Sequence, residues 1–210
     1  MTTCPFSRTA GFRIGFPPPI SHIMASMSET IRTFIAISLP PEIREALDGI
    51  SRALEQQTAP RAVRWVKPAG IHLTLCFLGE TGITRLPELR QTLDGITAVP
   101  FPLQLGELGA FPRPRRPRVI WVGLQGDLPA LQSLQQAVTA AVAPLGWQPD
   151  RRSFHPHLTL GRVKNAGGVS RLNWSQPVPS LGWRVTAVEL IRSDLQPTGA
   201  LYTTLHTRRL

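Results

Sequence analysis

The tetrapeptide His-Leu-Thr-Leu occurs twice in this chain, at residues 72–75 and again at 157–160, which is 85 residues further on. Both copies lie in segments with the composition of β-strands, and each segment follows a helix-like stretch and a turn. Self-similarity at about half the length of the patterned sequence is typical of two structurally related lobes. The repeat therefore predicts a bilobal chain that carries one copy of the tetrapeptide in each lobe.

The remaining sequence alternates between strand-like and helix-like segments, which indicates an α+β fold. About eight strands and three helices give two pseudo-symmetric lobes of antiparallel sheet with flanking helices around a central cleft. The third helix begins at Asp127, whose carboxylate is well suited to an N-cap. We predict helices at about 40–54, 84–97 and 127–142, and strands at 33–38, 63–66, 71–78, about 101–109, 118–124, 157–163, 183–192 and 201–207.

Residues 1–26 differ from the rest of the sequence. They contain two arginines and no acidic residue, a run of three prolines, and no helical period. We predict a disordered N-terminal extension over 1–26 and a bilobal domain over 27–210. A start codon assigned too far upstream or a transit peptide are the alternatives for this segment.

The formal net charge of +10 favours a polyanionic partner, and nucleic acid is the first candidate. However, 21 of the 23 basic residues are arginines, as in GC-rich genomes, so we ascribe about half of this signal to composition. Two cysteines cannot form a disulfide framework, and no Cys or His cluster has zinc-ligand spacing. We therefore expect a soluble, cytoplasmic monomer without a metal or a membrane-spanning helix.

Strand geometry gives the repeated tetrapeptide a chemical meaning. Side chains alternate across a strand, so His72 and Thr74 point to one face, and their leucine neighbours point to the other. The same holds for His157 and Thr159 in the second copy. Two imidazoles on opposite sides of a phosphate are suited to general acid–base catalysis, and threonine hydroxyls donate hydrogen bonds to phosphate oxygens. The alternative is a pair of structural histidines in strands that happen to be rich in threonine.

Four segments carry a resemblance to a known family. In order along the chain they are 32–40 (RTFIAISLP), 63–68 (VRWVKP), 71–79 (IHLTLCFLG) and 154–162 (FHPHLTLGR). With them, the chain resembles the 2H phosphoesterase superfamily, which is named for its two His-x-Thr motifs. Within it, the sequence is most similar to the bacterial RNA 2′,3′-cyclic phosphodiesterases, historically called 2′-5′ RNA ligases.

The resemblance implies an enzyme that opens the 2′,3′-cyclic phosphate at an RNA end to a 2′-phosphomonoester, without a metal or another cofactor. By analogy with the family, His72 is the proton donor to the leaving oxygen and His157 is the proton acceptor that activates water. Thr74, Thr159 and Arg162 hold the phosphate. Two other functions stay open: 2′-5′ RNA ligation by reversal in the same site, and a non-catalytic module that binds RNA ends.

Other residues are weaker candidates for the site. By strict alternation Arg162 lies on the face opposite His157, so a role at the phosphate requires a local twist or bulge. Phe34 and Trp65 are either base-stacking platforms or core residues, and Tyr202 is a candidate for lining the cleft. His155 has the parity of His157 but no threonine partner, which favours a supporting role. A proline-rich loop carries four arginines that either contact an RNA backbone or are merely solvated: Arg113, Arg115, Arg116 and Arg118.

Overall fold

A computed structural model describes Met1 and residues 29–148, 153–196 and 199–210, so the predicted extension over 1–26 lies, apart from Met1, outside the described residues. This part of the chain contains nine β-strands and three α-helices. The strands are β1 Thr30–Ser38, β2 Val63–Trp65, β3 His72–Gly82, β4 Phe101–Phe111, β5 Val119–Gly126, β6 His157–Val163, β7 Gly182–Val185, β8 Ala187–Gln196 and β9 Gly199–Arg209, and the helices are α1 Pro41–Glu55, α2 Leu86–Asp94 and α3 Leu128–Val142.

The strands form two antiparallel sheets with related topology. The first has the order β3-β1-β8-β9, and the second has the order β2-β6-β5-β4-β7. The unit β1-α1-β3 corresponds to β5-α3-β6, because in each sheet the two strands of the unit are adjacent and the intervening helix joins them. Apart from β2 at one edge, the second sheet thus repeats the order of the first. The predicted α+β fold with two pseudo-symmetric antiparallel lobes is confirmed.

Two predicted elements differ from the structure. The single strand expected at 183–192 is two strands, since β7 pairs with β4 in the second sheet and β8 pairs with β1 in the first. No glycine or proline occurs between residues 183 and 192, so the sequence gives no turn signal where the chain changes sheets at Thr186. The predicted helix at 84–97 is shorter, because α2 ends at Asp94 and a 3₁₀ turn at Ile83–Arg85 precedes it.

The two long helices follow from local sequence signals. In α1 a proline occupies the first turn, and Ile43, Leu47, Ile50 and Leu54 are buried at helical spacing. In α3 the carboxylate of Asp127 accepts a hydrogen bond from the backbone N–H of Ala130 at 3.0 Å, which confirms the predicted N-cap. None of the described helices combines the length and apolar character that a transmembrane helix needs.

Most apolar side chains of both sheets and all three helices belong to one continuous core. A second, smaller cluster lies on the other face of the first sheet and consists of Phe34, Ala36 and Ile191, with Tyr202 packed against them. Cys76 is buried, and burial raises the pKa of its thiol to about 11. The face of the first sheet that carries this small cluster also carries His72, and it forms one side of the site described below.

Close packing of β4 against β5 gives a test of the fold. Gly109 lies opposite Trp121, and a Cβ at this position would overlap the indole ring. We expect Gly109→Ala to lower the free energy of unfolding by about 1–3 kcal/mol, the usual range for overpacking. The matched control is Gly49→Ala on the exposed side of α1, where a Cβ meets nothing within 4 Å. The control should be neutral or stabilise by up to about 1 kcal/mol, and equal losses in urea denaturation would contradict this packing.

Candidate active site

Each repeated histidine is the first residue of its strand, and each is held by the same hydrogen bond. The Nδ1–H of His72 donates to the carbonyl of Gly70 at 2.9 Å, and the Nδ1–H of His157 donates to the carbonyl of His155 at 2.7 Å. A carbonyl can only accept, so Nδ1 carries the proton in both rings. In the neutral tautomer Nε2 is therefore unprotonated and available as a proton acceptor.

A β-bulge follows each His-x-Thr pair and changes which residues share its face. In β3 the pairing with β1 skips Leu75, and in β6 the pairing with β5 skips Leu160. Both leucines stay buried in the core, while the residue two positions after each bulge returns to the histidine side. Arg162 thus shares a face with His157 and Thr159. The equivalent residue in the first lobe is Phe77, which shares a face with His72 and Thr74.

We call these two histidine-bearing faces the cleft faces. The threonines lie on them as predicted by strand alternation: Thr74 is opposite Ala36 on β1, and Thr159 is opposite Trp121 on β5. Both threonines are half-buried, and within the described part of the chain neither hydroxyl has a hydrogen-bond partner. The strands β3 and β6 lie next to each other, so the two His/Thr pairs belong to one site.

On the first lobe, an aromatic wall surrounds His72. The ring centroid of Phe34 lies 4.5 Å from that of the imidazole, and the ring of Tyr202 meets the imidazole edge at 5.0 Å. Phe34 is only 4% exposed, because its ring is covered by His72 and supports the imidazole, so it has little free surface for stacking on a base. Tyr202 lines the cleft beside the imidazole. Phe77, by contrast, is 68% exposed on the same face.

On the second lobe, sequence reasoning missed the aromatic residues beside His157. Phe111 meets the imidazole edge-on at 4.9 Å, and Trp121 lies 6.4 Å from it. Trp121 was within reach of sequence reasoning, because it alternates with core residues along β5 and must face away from them. Phe111 was not, because only the pairing of β4 with β5 brings it to this position.

Trp65 lies on the core side of β2. It is opposite Gly161, packs against that glycine and the core, and faces away from Arg162. This position agrees with the interpretation of Trp65 as a core residue. His155 is exposed, and its backbone carbonyl orients His157. In the proline-rich loop all four arginines, Arg113, Arg115, Arg116 and Arg118, are exposed.

Comparison with known proteins assigns the chain to a family. The model of the family described as LigT like Phosphoesterase matches the chain twice, at residues 37–121 and 122–202. This chain belongs to the LigT-like phosphoesterase family. The two matches divide the chain so that each holds one His-Leu-Thr-Leu copy, which agrees with the two lobes.

Relatives of this LigT-like phosphoesterase cover most of its length. A protein of Methanothermobacter thermautotrophicus named RNA 2′,3′-cyclic phosphodiesterase is 33% identical over 188 residues, which cover 86% of this chain and 99% of the relative. The Escherichia coli protein of the same name is 33% identical over 163 residues, 78% of this chain and 86% of the relative. The crystal structure of E. coli LigT complexed with 3′-AMP has a TM-score of 0.69 and 30% identity, and covers 87% of this chain and 99% of that one.

Burial favours the neutral form of both histidines of this LigT-like phosphoesterase. Burial lowers the pKa of His72 from 6.5 to about 4; the Gly70 carbonyl opposes this shift, and the positive charge of protonated His157 adds to it. Burial also lowers the pKa of His157, against the raising effect of the His155 carbonyl, and Arg162 and His155 lower it further. The effect of His157 on the pKa of His72 indicates that the two imidazoles lie within electrostatic reach of each other.

Positive charge is concentrated around Tyr202. Burial raises the pKa of its phenol, while Arg162, Arg32 and Arg64 lower it in part through their charges. The cleft therefore joins two neutral imidazoles to a group of guanidinium ions, an environment that attracts a phosphate anion. Within the described ranges no three His, Cys, Asp or Glu side chains come together as a candidate metal site.

The lowered pKa values generate a test in solution. Without ligand, the imidazoles of His72 and His157 should titrate below pH 6.5, because burial disfavours the charged form. Inorganic phosphate should raise both midpoints, since a nearby anion stabilises the imidazolium. NMR of the imidazole signals against pH, assigned with His72→Gln and His157→Gln, measures this directly. A midpoint above 6.5 for either histidine in the ligand-free protein would contradict the buried geometry.

Proposed function

We propose that this chain hydrolyses the 2′,3′-cyclic phosphate at the 3′ end of RNA and leaves a 2′-phosphomonoester. The observation that carries the proposal is the paired arrangement of His72 and His157: both rings are locked through Nδ1, and both leave Nε2 for proton transfer at one site. The shared name of the M. thermautotrophicus and E. coli relatives, RNA 2′,3′-cyclic phosphodiesterase, supports the same substrate class.

In the proposed reaction, Nε2 of His157 takes a proton from water as the water oxygen attacks phosphorus. The bond between phosphorus and the ribose 3′ oxygen breaks, and protonated His72 gives its Nε2 proton to that leaving oxygen. Throughout, the two Nδ1–H groups stay bound to their carbonyls, so each ring keeps its orientation. His157 ends as the imidazolium and His72 as the neutral form, and exchange with solvent restores the starting state.

The pKa shifts fit these roles once the substrate is bound. Burial, and in addition the charge of Arg162, lowers the pKa of His157, which favours the unprotonated form that a proton acceptor needs. His72 has a pKa of about 4 in the free protein, and the cyclic phosphate anion must raise this value before the ring acts as a donor. Substrate binding and protonation of His72 are therefore linked, and each promotes the other.

The other groups on the cleft faces hold the substrate. The free hydroxyls of Thr74 and Thr159 donate to the non-bridging phosphate oxygens, and Arg162 adds a charge-assisted hydrogen bond. The exposed ring of Phe77, next to Phe34 at a centroid distance of 6.2 Å, offers an apolar surface to the ribose and base. A metal ion has no part in this mechanism.

A product assay tests the reaction class. Adenosine 2′,3′-cyclic phosphate incubated with the protein in EDTA should give adenosine 2′-phosphate, read by phosphorus NMR. The chelator should not slow turnover, because the histidines and arginine supply all proton transfers and charge. No product would favour the non-catalytic binding module. A 2′-5′ linkage formed between the adenosine nucleotide and added 5′-hydroxyl RNA would favour ligation. Loss of activity in EDTA that a divalent metal restores would refute the mechanism.

Substitutions test the two roles separately. His72→Ala and His157→Ala should each reduce kcat by about 10²–10⁴-fold, the usual contribution of a general acid or base. A p-nitrophenyl phosphodiester, whose leaving group needs no proton, should restore activity to His72→Ala far more than to His157→Ala. The control is His155→Ala, which keeps the carbonyl that orients His157 and should cost much less. Restoration in the reverse order would exchange the donor and acceptor roles.

A further inference from the structure

Two arginines face each other directly across neighbouring strands. The antiparallel pairing of β2 with β6 sets Arg64 opposite Arg162. Directly opposed residues have Cβ atoms about 5 Å apart and point to the same side of the sheet, so like charges in this position destabilise the pair. A fold that retains two opposed guanidinium groups carries an electrostatic cost that a bound anion removes.

Arg64 and Arg162 lie on the cleft face of the second sheet, which also carries His157. The bulge at Leu160 brings Arg162 to the cleft face, and Arg64 as its cross-strand partner lies on that face too. The neighbours of Arg64 on β2 confirm this orientation: Val63 is buried and Trp65 packs against the core on the other side. Both arginines are exposed to the cleft rather than to the core.

Neither arginine is neutralised within the protein. In the described part of the chain, Arg64 and Arg162 form no ion pair and no side-chain hydrogen bond. The third arginine near Tyr202, Arg32, differs, because Glu80 lies 3.9 Å from its guanidinium. The Nη2 atom of Arg64 lies 3.8 Å from where a Cβ of Gly199 would stand, so its side chain extends towards the start of β9 in the first sheet.

Arg64 thus spans the gap between the two sheets on the side of Tyr202, whose ring touches His72. Arg162 holds the cyclic phosphate in the proposed reaction, and Arg64 lies directly opposite Arg162 on the neighbouring strand. We propose that Arg64, with Arg162 next to it, binds a second phosphate of the substrate: the one linked to the 5′ oxygen of the terminal nucleotide. This inference rests on the proposed function and deepens it, since it makes an oligonucleotide end, rather than a cyclic mononucleotide, the preferred substrate.

The test compares two dinucleotides that end in a 2′,3′-cyclic phosphate. One has an ordinary phosphodiester between its nucleosides, and the other has an uncharged methylphosphonate there, so the two differ in one negative charge. The wild-type kcat/KM should be about tenfold higher for the charged linkage, as for a partly exposed charge-assisted hydrogen bond. Arg64→Gln should bring the ratio of the two values close to one, and Arg64→Lys should retain part of it.

The matched control is Arg90→Gln, which removes an exposed arginine from α2 and should keep the wild-type ratio. The salt dependence of kcat/KM for the charged dinucleotide should also become shallower by about one unit of log–log slope in Arg64→Gln only. The variant should fold at least as well as the wild type, because it relieves a like-charge pair.

Equal wild-type values for the two linkages, or a ratio unchanged in Arg64→Gln, would overturn the second phosphate site. Because the wild-type comparison needs no variant, it remains decisive if Arg64→Gln fails to fold. Hydrolysis of neither dinucleotide, and none of adenosine 2′,3′-cyclic phosphate, would instead refute the proposed function. The two failures are therefore distinguishable.

Discussion

Four leucines are among the most deeply buried side chains of the described residues, with exposed fractions between 0% and 4%. They are Leu73 and Leu75 in β3, and Leu158 and Leu160 in β6. Their burial directs the histidine and threonine between them to the opposite face. It also stabilises the bulges, because Leu75 and Leu160 stay in the core although neither has a cross-strand partner on the neighbouring strand. Removal of apolar surface from water thus sets the direction of every polar group in the site, and the hydrogen bonds of Nδ1 then set the rotation of each imidazole.

The two lobes share this scaffold but present different chemistry. Two positions after each bulge, the first lobe carries the exposed Phe77 and the second carries Arg162. Tyr202 completes an aromatic surface on the first lobe, while Arg64 adds a second charge beside Arg162. A nucleotide end has the same division, with an apolar base on one side and phosphates on the other. The pseudo-symmetry therefore supplies two imidazoles that are held in the same way, and in the proposed function the differences between the lobes orient the nucleotide between them.

Several features were predicted from sequence because they depend on neighbours in the chain. The N-cap at Asp127, the buried stripe of α1 and the alternation in β6 are of this kind, and all three are present. Phe34 and Trp65 show what such reasoning leaves open. Both lie in strands and both are aromatic, yet one is covered by His72 and the other by the core. Whether an aromatic ring is free to stack depends on what covers it, and that partner is distant in sequence in each case.

The sequence by itself determined the two lobes, the antiparallel α+β architecture and the four polar residues of the repeat, because hydrophobic period and strand alternation are local properties of the chain. The tertiary structure alone decided that β2 leaves the first half of the chain to pair with β6, and that β7 and β8 join different sheets. These choices depend on which strand edges are left unpaired once both sheets form. The pairing of β2 with β6 brings Arg64 to Arg162, as the pairing of β4 with β5 brings Phe111 to His157. Strand pairing between distant segments has no signature within either segment.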